Sequence, residues 1–399
     1  MSKLLVIETD GKSQIGAACR AHGWKPIFVD TQSYDDWLPT WENQQQYDVR
    51  KIKEPSFYDL IKIIEEEQIK AVLPISLLEP EGVRDSLVKS YIDQRKLGVN
   101  IIANDPATME ATYDKWLTKQ ILKDHGVSVT PGHLIDTSKE AKEYSLAFDF
   151  PVIVKEKKSF TGMGIRILKD QKSYQNYISR NRDKALFVEP FVEGSEVSLE
   201  VISWKGDKLF QPLVYKGETR INILEHPAYR PRISPYKKGS MLEKQIVQMV
   251  SKAVDVLGLS GAAEFEFIIV NGQPMIMEIN PRVSGITRLC NAGGGSNVYS
   301  ILAHTAITDK LPTEQEVSQK YAMQFPLTVV PEGALLKQLQ ANPNVTYIKP
   351  ITWMPILPIK SNVILSYETL DALNEGVKSL EQYSDERYIQ EAQASFQLF

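Results

Sequence analysis

The sequence predicts a mixed α/β fold, with a doubly wound parallel domain first, α+β units after it and a small strand-rich segment at the C-terminus. Strands alternate with helices over the first hundred residues, short strands and glycine turns begin at residue 151, and strand-like apolar runs fill the last eighty. Regular alternation of strands and helices is typical of a parallel sheet with crossover helices. We therefore predict a doubly wound domain at residues 1–106 and a strand-rich C-terminal segment at 311–399, with α+β units between them.

The first segment contains three apolar strands, "KLLVIE", "KPIFVD" and "KAVLPIS", and two helical stretches, "IGAACRAHG" and "FYDLIKIIEEEQ". Its first turn, "ETDGKSQIG", has two glycines but lacks the G-x-G-x-x-G spacing that lets a backbone approach a pyrophosphate. A dinucleotide is therefore not expected in this domain.

Later elements follow from the same patterns. Residues 108–125 have apolar side chains at helical spacing and are followed by Gly126, a residue typical of helix ends. This pattern predicts one helix over 108–125. Further helices are predicted at about 171–181, 241–257 and 369–383, and C-terminal strands at "YAMQFPLTVV", "ITWMPILP" and "NVILSYE". The polar, proline-bearing stretch "LEHPAYRPRISPYKKG" predicts a surface or active-site loop.

Composition narrows the function classes. The chain has 399 residues, a formal net charge of −4 and scattered rather than clustered basic residues, so nucleic acid is not expected as a partner. Its two cysteines, Cys19 and Cys290, lie far apart without zinc or redox spacing, which suits a reducing compartment. We find no signal peptide and no apolar run of membrane-spanning length, so we predict a cytoplasmic protein without membrane contact.

The most informative stretch is the hairpin "GAAEFEFIIVNGQPMIMEINPR". Glu264 and Glu266 share one face of its first strand, because side chains alternate along a strand, and Glu278, Asn280 and Arg282 share one face of the second. A two-residue "NG" turn would put the two sets on opposite faces, whereas a three-residue turn would set Glu278 opposite Glu266. A shared acidic face therefore requires the three-residue turn.

Converging carboxylates would repel each other unless a cation lay between them, and a few hard oxygen ligands suit Mg²⁺. The alternative is that Glu264 and Glu266 face solvent from an amphipathic edge strand. Taken alone, the hairpin does not decide between these two interpretations.

Three other stretches have a phosphate- or nucleotide-binding character. In "VIVKEKKSFTGMGI", Lys155 leaves an apolar strand before a glycine-containing loop, which offers an ammonium and free N–H groups to phosphate oxygens. In "FVEPFVEGSEVSLEVI", Glu189 and Glu196 flank an apolar pair, as an adenine slot requires. Lys115 lies near the start of the inter-domain helix. A solvated hairpin turn, solvated loop acids and a surface lysine are the respective alternatives.

All four stretches occur in one order, and this ordered set resembles the ATP-grasp superfamily of carboxylate–amine ligases. The likeness covers residues 3–308, is most specific at the hairpin and "INPR", and is nearest to the carbamoyl-phosphate-synthase-like and L-amino-acid-ligase branches. It implies that a two-lobed ATP-grasp clamp follows the doubly wound domain, with a small lobe at 107–194 and a large lobe at 195–310. The C-terminal 80 residues weakly resemble the extra subdomain of some amino-acid ligases.

The resemblance also implies a role for individual residues. Lys155 and Arg282 are the implied catalytic residues, and Glu266, Glu278 and Asn280 the implied ligands of two Mg²⁺ ions, for which Mn²⁺ can substitute. Glu264 competes with Glu266 for the metal role. The implied ATP-binding residues are Lys115, Lys155, Ser159, Gly162, Met163, Gly164, Glu189, Phe191, Val192 and Glu196. Arg230, Arg232 and Gly285 are the candidates for substrate binding.

The implied activity is an ATP-dependent ligase that activates a carboxylate, plausibly of an amino acid, as an acyl phosphate and joins it to an amine. Its expected partners are therefore a small-molecule carboxylate and an amine, and a homodimer is compatible with the resemblance. Two alternatives remain open at this point: an ATP-grasp phosphotransferase or carboxylase-like enzyme, and a non-catalytic ATP-binding regulatory protein.

Overall fold

The computed structural model describes residues 1–7, 11–30, 47–76, 78–138, 148–159, 164–220, 230–313, 318–351 and 358–399. Three sheets organise these residues: a parallel sheet at the N-terminus, a small antiparallel sheet after it, and a long antiparallel sheet that extends to the C-terminus.

The N-terminal domain is a parallel sheet with strands in the order β3-β2-β1-β4-β5. The strands are β1 (Lys3–Ile7), β2 (Lys25–Asp30), β3 (Asp48–Lys51), β4 (Ala71–Pro74) and β5 (Asn100–Ile101), and the helices are α1 (Lys12–Ala21), α2 (Phe57–Glu66) and α3 (Glu79–Arg95). The predicted doubly wound domain is thereby confirmed. Helix α3 was not predicted, because its buried positions include the polar residues Glu79, Asp85 and Ser86, which weaken the apolar periodicity.

The prediction of a single helix over 108–125 is wrong. The segment forms two helices, α4 (Pro106–Tyr113) and α5 (Lys115–Asp124), separated at Asp114, which has an extended ψ of 97°. The Asp114 side chain accepts a hydrogen bond of 2.9 Å from the Leu117 N–H and so caps α5. The break places Lys115 at the first position of a new helix.

The small lobe is an antiparallel sheet with strands in the order β6-β9-β7-β8. These strands are β6 (His133–Leu134), β7 (Val152–Glu156), β8 (Arg166–Leu168) and β9 (Leu186–Pro190). Helix α6 (Gln171–Arg180) begins after Asp170, whose carboxylate accepts from the Ser173 N–H at 2.7 Å. Its buried residues Tyr174 and Ile178 pack with Val152 and Val154 of β7, which closes a small core.

The large sheet has the strand order β15-β14-β10-β12-β13-β16-β18-β17, with β11 paired to the far end of β10. Its strands are β10 (Gly194–Trp204), β11 (Asp207–Phe210), β12 (Val214–Thr219), β13 (Arg232–Ser234), β14 (Gly261–Val270), β15 (Gln273–Asn280), β16 (Tyr321–Leu327), β17 (Val345–Pro350) and β18 (Ser361–Tyr367). Because β16 pairs with β13, the C-terminal strands extend the sheet of the large lobe.

The remaining helices are α7 (Met241–Leu257), α8 (Thr287–Ala292), α9 (Val298–Thr308), α10 (Gly333–Ala341), α11 (Leu370–Lys378) and α12 (Glu386–Phe396). Helix α11 is shorter than the predicted 369–383, and a 3-10 turn follows at Glu381–Tyr383. Most of the predicted strand "ITWMPILP" lies outside the described residues. None of the helices in the described ranges is both long and apolar enough to span a bilayer.

The two faces of the large sheet differ in character. On one face, Val197 and Leu199 of β10 and Phe265 of β14 pack against Ile246 and Val250 of α7. The opposite face has Ile202 and Ala262 at one end, packed with α1, α9 and the N-terminal sheet. Asn104, just after β5, accepts from the Ser260 N–H at 2.7 Å and donates to the Pro281 carbonyl at 3.4 Å. The N-terminal domain is therefore held against the ends of β14 and β15.

Candidate active site

The β14–β15 hairpin aligns its acids by a route that the sequence did not predict. Val270 pairs with Gln273 across a two-residue turn, in which Asn271 and Gly272 have φ of 49° and 76°. Glu266 nevertheless lies opposite Glu278. The expected three-residue turn is wrong, and the expected pairing is present.

A β-bulge explains how the two-residue turn and the pairing of Glu266 with Glu278 occur in the same hairpin. Phe267 pairs with Ile276 while Glu266 pairs with Glu278, so Met277 is an extra residue on β15 that shifts the register by one. A one-residue shift moves every later side chain of the strand to the other face. The bulge, and not a three-residue turn, therefore brings Glu266 and Glu278 to the same face of the hairpin.

Strand β10 continues the polar face. Ser198 lies opposite Glu266, and Glu200 lies opposite Glu264, which itself faces Asn280. Glu200, Glu264 and Asn280 thus form one row across three adjacent strands, and Ser198, Glu266 and Glu278 form the next. We call these six residues the acidic face. Their oxygens are the hard donors that Mg²⁺ prefers, so the donor set fits this ion.

Internal lysines lie against the acidic face. Lys216 of β12 is 3.0 Å from Glu266 Oε2 and 3.5 Å from Glu264 Oε1, and it is almost fully buried. Lys115 is 3.3 Å from Glu278 Oε1. Within the described ranges, no three acidic, histidine or cysteine side chains are gathered as a metal cluster. The acids are instead neutralised by the two lysines.

Two acids share Lys216, and this affects their pKa values in opposite directions. Burial raises the pKa of Glu266, with repulsion from Glu264 and Glu278 adding to it, and attraction to Lys216 offsets only part of the rise. For Glu264, burial is outweighed by the attraction of Lys216 and Arg232, so its pKa is lowered. Lys216 therefore favours the ionised form of Glu264, whereas burial and repulsion still favour the protonated form of Glu266.

Glu200 is an acid held in neutral form. Burial, helped by repulsion from Glu264, raises its pKa to about 8, although a short hydrogen bond from Thr287 acts in the opposite direction. Its second carboxyl oxygen has no hydrogen-bond partner among the described residues. A neutral Glu200 adds no negative charge to the acidic face at neutral pH.

The phosphate-side lysines converge on Glu189. Lys155 Nζ is 2.6 Å from Glu189 Oε2, and Lys119 Nζ is 2.5 Å from Oε1, which also accepts from the Thr130 hydroxyl at 3.0 Å. Burial lowers the pKa of Lys155, but attraction to Glu189 and Glu278 outweighs it, so the pKa is raised. Burial dominates at Lys119, whose pKa is lowered. Lys155 is thus held as a cation between Glu189 and the acidic face.

The loop after β7 begins close to Lys115. The Lys115 ammonium donates to the Ser159 carbonyl, and Ser159 is buried. Gly164 ends the loop with a φ of 75°, and a β-carbon there would lie 2.8 Å from the Glu156 side chain, so glycine is required. Gly162 and Met163 lie outside the described residues.

The predicted adenine and ribose residues lie at the end of β9 and at the start of β10. Phe191 and Val192 are partly exposed directly after β9, and the Phe191 N–H donates to the Pro151 carbonyl at 3.0 Å. Glu196 is buried and accepts from Arg230 Nη1 at 3.3 Å.

The remaining substrate candidates lie on the other side of the acidic face. Arg232 is buried at the start of β13, and attraction to Glu264 and Glu266 partly offsets the burial that lowers its pKa. A β-carbon on Gly285 would lie 3.5 Å from Arg232 Nη1, so Gly285 lies beside this guanidinium. Arg230 and Arg232 are therefore buried groups rather than solvated loop arginines.

Arg282 lies at the end of β15, where it contacts the N-terminal domain. Its Nε and Nη2 donate to Glu79 Oε1 at 3.2 and 3.0 Å, and its Nη1 donates to the Val283 carbonyl at 3.1 Å. A small cavity of about 40 Å³ lies against it, with a mostly apolar lining that includes the polar residues Ser76, Asp85 and Asn104.

Sequence reasoning missed several residues of this site. Lys119 could have been found, because it lies four positions after Lys115 and so shares its helix face. Lys216 had the same signal as Lys155, a lysine in an apolar strand, "LVYKGE". For Glu79, Glu200 and Thr287 we see no signal that would have identified them from the sequence.

Comparison with known proteins agrees with this geometry. Residues 112–286 match the model of the family described as ATP-grasp domain. Residues 112–286, which are less than half of the chain, are therefore similar to an ATP-grasp domain, as the motifs predict. ATP-grasp enzymes use ATP and Mg²⁺ and are C–N ligases or carboxylase-like enzymes, in agreement with the cofactors that we predict.

Individual relatives cover different parts of the chain. The carbamoyl-phosphate synthase of Methanobrevibacter smithii is 26% identical over 242 residues, which are 60% of this chain and 64% of that protein. The chain thus matches less than two thirds of the length of this curated relative.

Two solved structures share the fold across nearly the whole chain. The L-amino acid ligase from Bacillus licheniformis has a TM-score of 0.74 at 17% identity, with 96% of this chain and 98% of that one covered. The biotin carboxylase domain of Hydrogenobacter thermophilus 2-oxoglutarate carboxylase, crystallised with MgADP and bicarbonate, has a TM-score of 0.71 at 15% identity, with 96% and 90% covered. At these identities the likeness establishes the fold only.

Proposed function

We propose that this protein is an ATP- and Mg²⁺-dependent ligase that joins a small carboxylic acid, of the amino acid class, to an amine. The observation that carries the proposal is the acidic face, with Lys155 and Lys115 on one side and Arg282 on the other. Buried carboxylates that need lysines for neutralisation are costly to a fold, so their retention points to function.

Each group has a place in the reaction. Glu266, Glu278 and Asn280, with Glu264 competing for the same role, would hold Mg²⁺, which offsets the negative charge of the phosphates. Lys155, Lys115 and the 159–164 loop would bind phosphate oxygens, while Glu189, Phe191 and Val192 would hold adenine and Glu196 the ribose. Lys155 and Arg282 would stabilise the charge that spreads over the transferring phosphoryl group.

The proposed chemistry has two steps. A carboxylate oxygen of the acid attacks the γ-phosphorus of ATP, which breaks the bond to the β–γ bridging oxygen and yields an acyl phosphate and ADP. The amine nitrogen then attacks the acyl carbon, loses a proton and expels phosphate, which leaves an amide. Arg230, Arg232 and Gly285 lie where they could bind the acid or the amine.

A carboxylase-like or phosphotransferase reaction is the second candidate. The specific observation in its favour is that the chain shares its fold with a biotin carboxylase domain as well as with an amino acid ligase. The two functions differ in what the reaction requires. Ligation consumes ATP only when acid and amine are both present, whereas carboxylation requires bicarbonate.

A phosphate-release assay tests the proposal. Amino acids are supplied singly and in pairs with ATP and Mg²⁺, and separately with bicarbonate. Phosphate release that needs a particular pair, together with the amide detected by mass spectrometry, supports ligation. Phosphate release that requires bicarbonate but no second amino acid would support the carboxylase-like reaction and contradict ligation.

Glu278→Gln is the variant for this assay. We expect it to lower phosphate release by roughly 100-fold or more, because it removes a charge that would hold Mg²⁺ at the transferring group. Glu368→Gln changes an exposed acid outside the site in the same way and should retain full activity. If Glu278→Gln releases phosphate at the rate of the unaltered protein, the metal assignment is wrong.

The remaining parts of the proposal concern setting and assembly. We place the enzyme in the cytoplasm, because the two cysteines suit a reducing compartment and both are buried and free. A homodimer is the assembly that we propose, and sedimentation equilibrium would test it.

A further inference from the structure

Glu79 belongs to the N-terminal domain but lies beside the phosphoryl-transfer residues of the large lobe. It is the first residue of α3 and only 4% exposed. One of its carboxylate oxygens, Oε1, accepts both the Nε and the Nη2 hydrogen bonds of Arg282, a residue 203 positions later in the chain. The contact is therefore decided by how the two domains are docked.

The other contacts of Arg282 are weaker constraints on its guanidinium. Nη1 donates to the carbonyl of Val283, the next residue, and Nη2 is 3.5 Å from Asn280 Oδ1, the limit of a hydrogen bond. Glu79 is its only ion-pair partner in the part of the chain that the structure describes. A long arginine side chain has many rotamers, so this charged pair is what selects one of them.

The docking that brings Glu79 to Arg282 is itself well defined. Asn104 is hydrogen-bonded to both Ser260 and Pro281, on either side of the β14–β15 hairpin. Pro281 is the residue directly before Arg282. The position of Glu79 is also favourable electrostatically, because a carboxylate at the N-terminus of a helix faces the positive end of the helix dipole.

We propose that Glu79 is a positioning residue for catalysis: it orients the Arg282 guanidinium toward the transferring phosphoryl group and so makes the N-terminal domain part of the active site. This inference rests on the proposed function. Fixing a charged group in its productive orientation lowers the barrier of the chemical step, whereas it contributes little to ATP binding. Glu79 itself does not contact the reacting atoms.

The kinetic test compares Glu79→Gln with Glu81→Gln. Glu81 lies in the same helical turn, and its carboxylate accepts from the Leu78 N–H at 3.1 Å, so it controls for damage to the start of α3. We expect Glu79→Gln to lower kcat by roughly 100-fold, the cost of misplacing a catalytic group, with the KM for ATP unchanged. Glu81→Gln should retain kcat. An unchanged kcat in Glu79→Gln would overturn the inference, as would equal losses in both variants.

A double variant separates positioning from a structural role. In an Arg282→Lys background, the Glu79→Gln change should lower kcat far less than it does alone, because the group that it orients is already gone. If the two losses multiply instead, Glu79 acts independently of Arg282 and the inference is wrong.

A spectroscopic readout does not depend on turnover. In protein labelled with ¹⁵N-arginine, Arg282→Lys identifies the Arg282 Nε–H resonance. If Glu79 fixes the Arg282 guanidinium, this Nε–H resonance should be separate from the others and exchange slowly with water. In Glu79→Gln, the resonance should move to the position of solvated arginines. If the signal is the same in Glu79→Gln, Glu79 does not orient Arg282. An unaltered protein that shows the separate, slowly exchanging signal but releases no phosphate would contradict the proposed function alone.

Discussion

The N-terminal sheet and the large sheet bury their central strands to a similar extent but fill them differently. In β1 of the N-terminal sheet, Leu4, Leu5, Val6 and Ile7 are all completely buried. In the large sheet, Glu200 of β10 is just as buried, and Glu264 of β14 is only 4% exposed. Burial of apolar side chains stabilises the N-terminal sheet directly. In the large sheet, the buried carboxylates are away from water and have to be neutralised by other groups.

This difference separates what stabilises the fold from what the site requires. A parallel sheet covered on both faces is expected to be apolar at its centre, and the central strand β1 fits this expectation. The polar face of the large sheet is stabilised through specific partners, among them Lys216, Lys115 and Arg232, and through the neutral state of Glu200. The comparison therefore predicts that single charge changes destabilise the large sheet far more than the N-terminal one.

The largest effect is expected from Lys216→Met. Removing this lysine takes away the ammonium that contacts both Glu264 and Glu266, so we expect the free energy of unfolding to fall by about 3–5 kcal/mol. Urea unfolding in the presence of EDTA measures this loss. Adding Mg²⁺ should restore stability to the variant more than to the unaltered protein, because the ion takes the place of the lysine charge.

A second change checks the cause of that loss. Lys216→Met combined with Glu266→Gln should recover part of the stability, since one unpaired charge is removed. An unfolding midpoint for Lys216→Met equal to that of the unaltered protein would mean that the acidic face does not depend on Lys216.

A moderate, pH-dependent effect is expected from Glu200→Gln. The folded protein holds Glu200 with a pKa of about 8 against an ordinary value of 4.5, so folding takes up a proton between these pH values. This contribution to stability is present at low pH and is lost as the pH rises toward 8.

Glu200→Gln should therefore gain stability relative to the unaltered protein as the pH rises from 5 to 8, by up to about 1.4 kcal/mol per pH unit. Urea midpoints at several pH values give both curves. Parallel curves would show that Glu200 is ionised in the folded protein.

The smallest effect is expected in the N-terminal sheet, from Lys25→Met. Lys25 is 3.2 Å from Asp48 on the neighbouring strand, but their side chains are 50% and 35% exposed. Water and salt screen such a pair, so we expect a loss of about 1 kcal/mol or less in the same urea assay. If Lys25→Met lowered the free energy of unfolding as much as Lys216→Met, the predicted difference between the two sheets would be wrong.

Much of the site could be predicted because its chemistry is local in sequence. Glu278, Asn280 and Arg282 occupy alternate positions, and this alternation predicts a common face for all three, although β15 ends at Asn280 and Arg282 lies beyond it. Lys155 before a glycine loop, and Glu189 and Glu196 around an apolar pair, are recognisable in the same way. The roles of these residues remain predictions that the experiments above would test.

The sequence by itself determined the parallel N-terminal domain, the ATP-grasp resemblance and four residues of the acidic face, Glu264, Glu266, Glu278 and Asn280, because strand alternation and motif order depend only on near neighbours. Only the tertiary structure decided the bulge at Met277, the neutralisation of the acids by Lys216 and the contact between Glu79 and Arg282. The bulge depends on how two strands pair, and the other two depend on side chains brought together from distant parts of the chain. No local pattern records such contacts, because the packing of whole sheets and domains determines them.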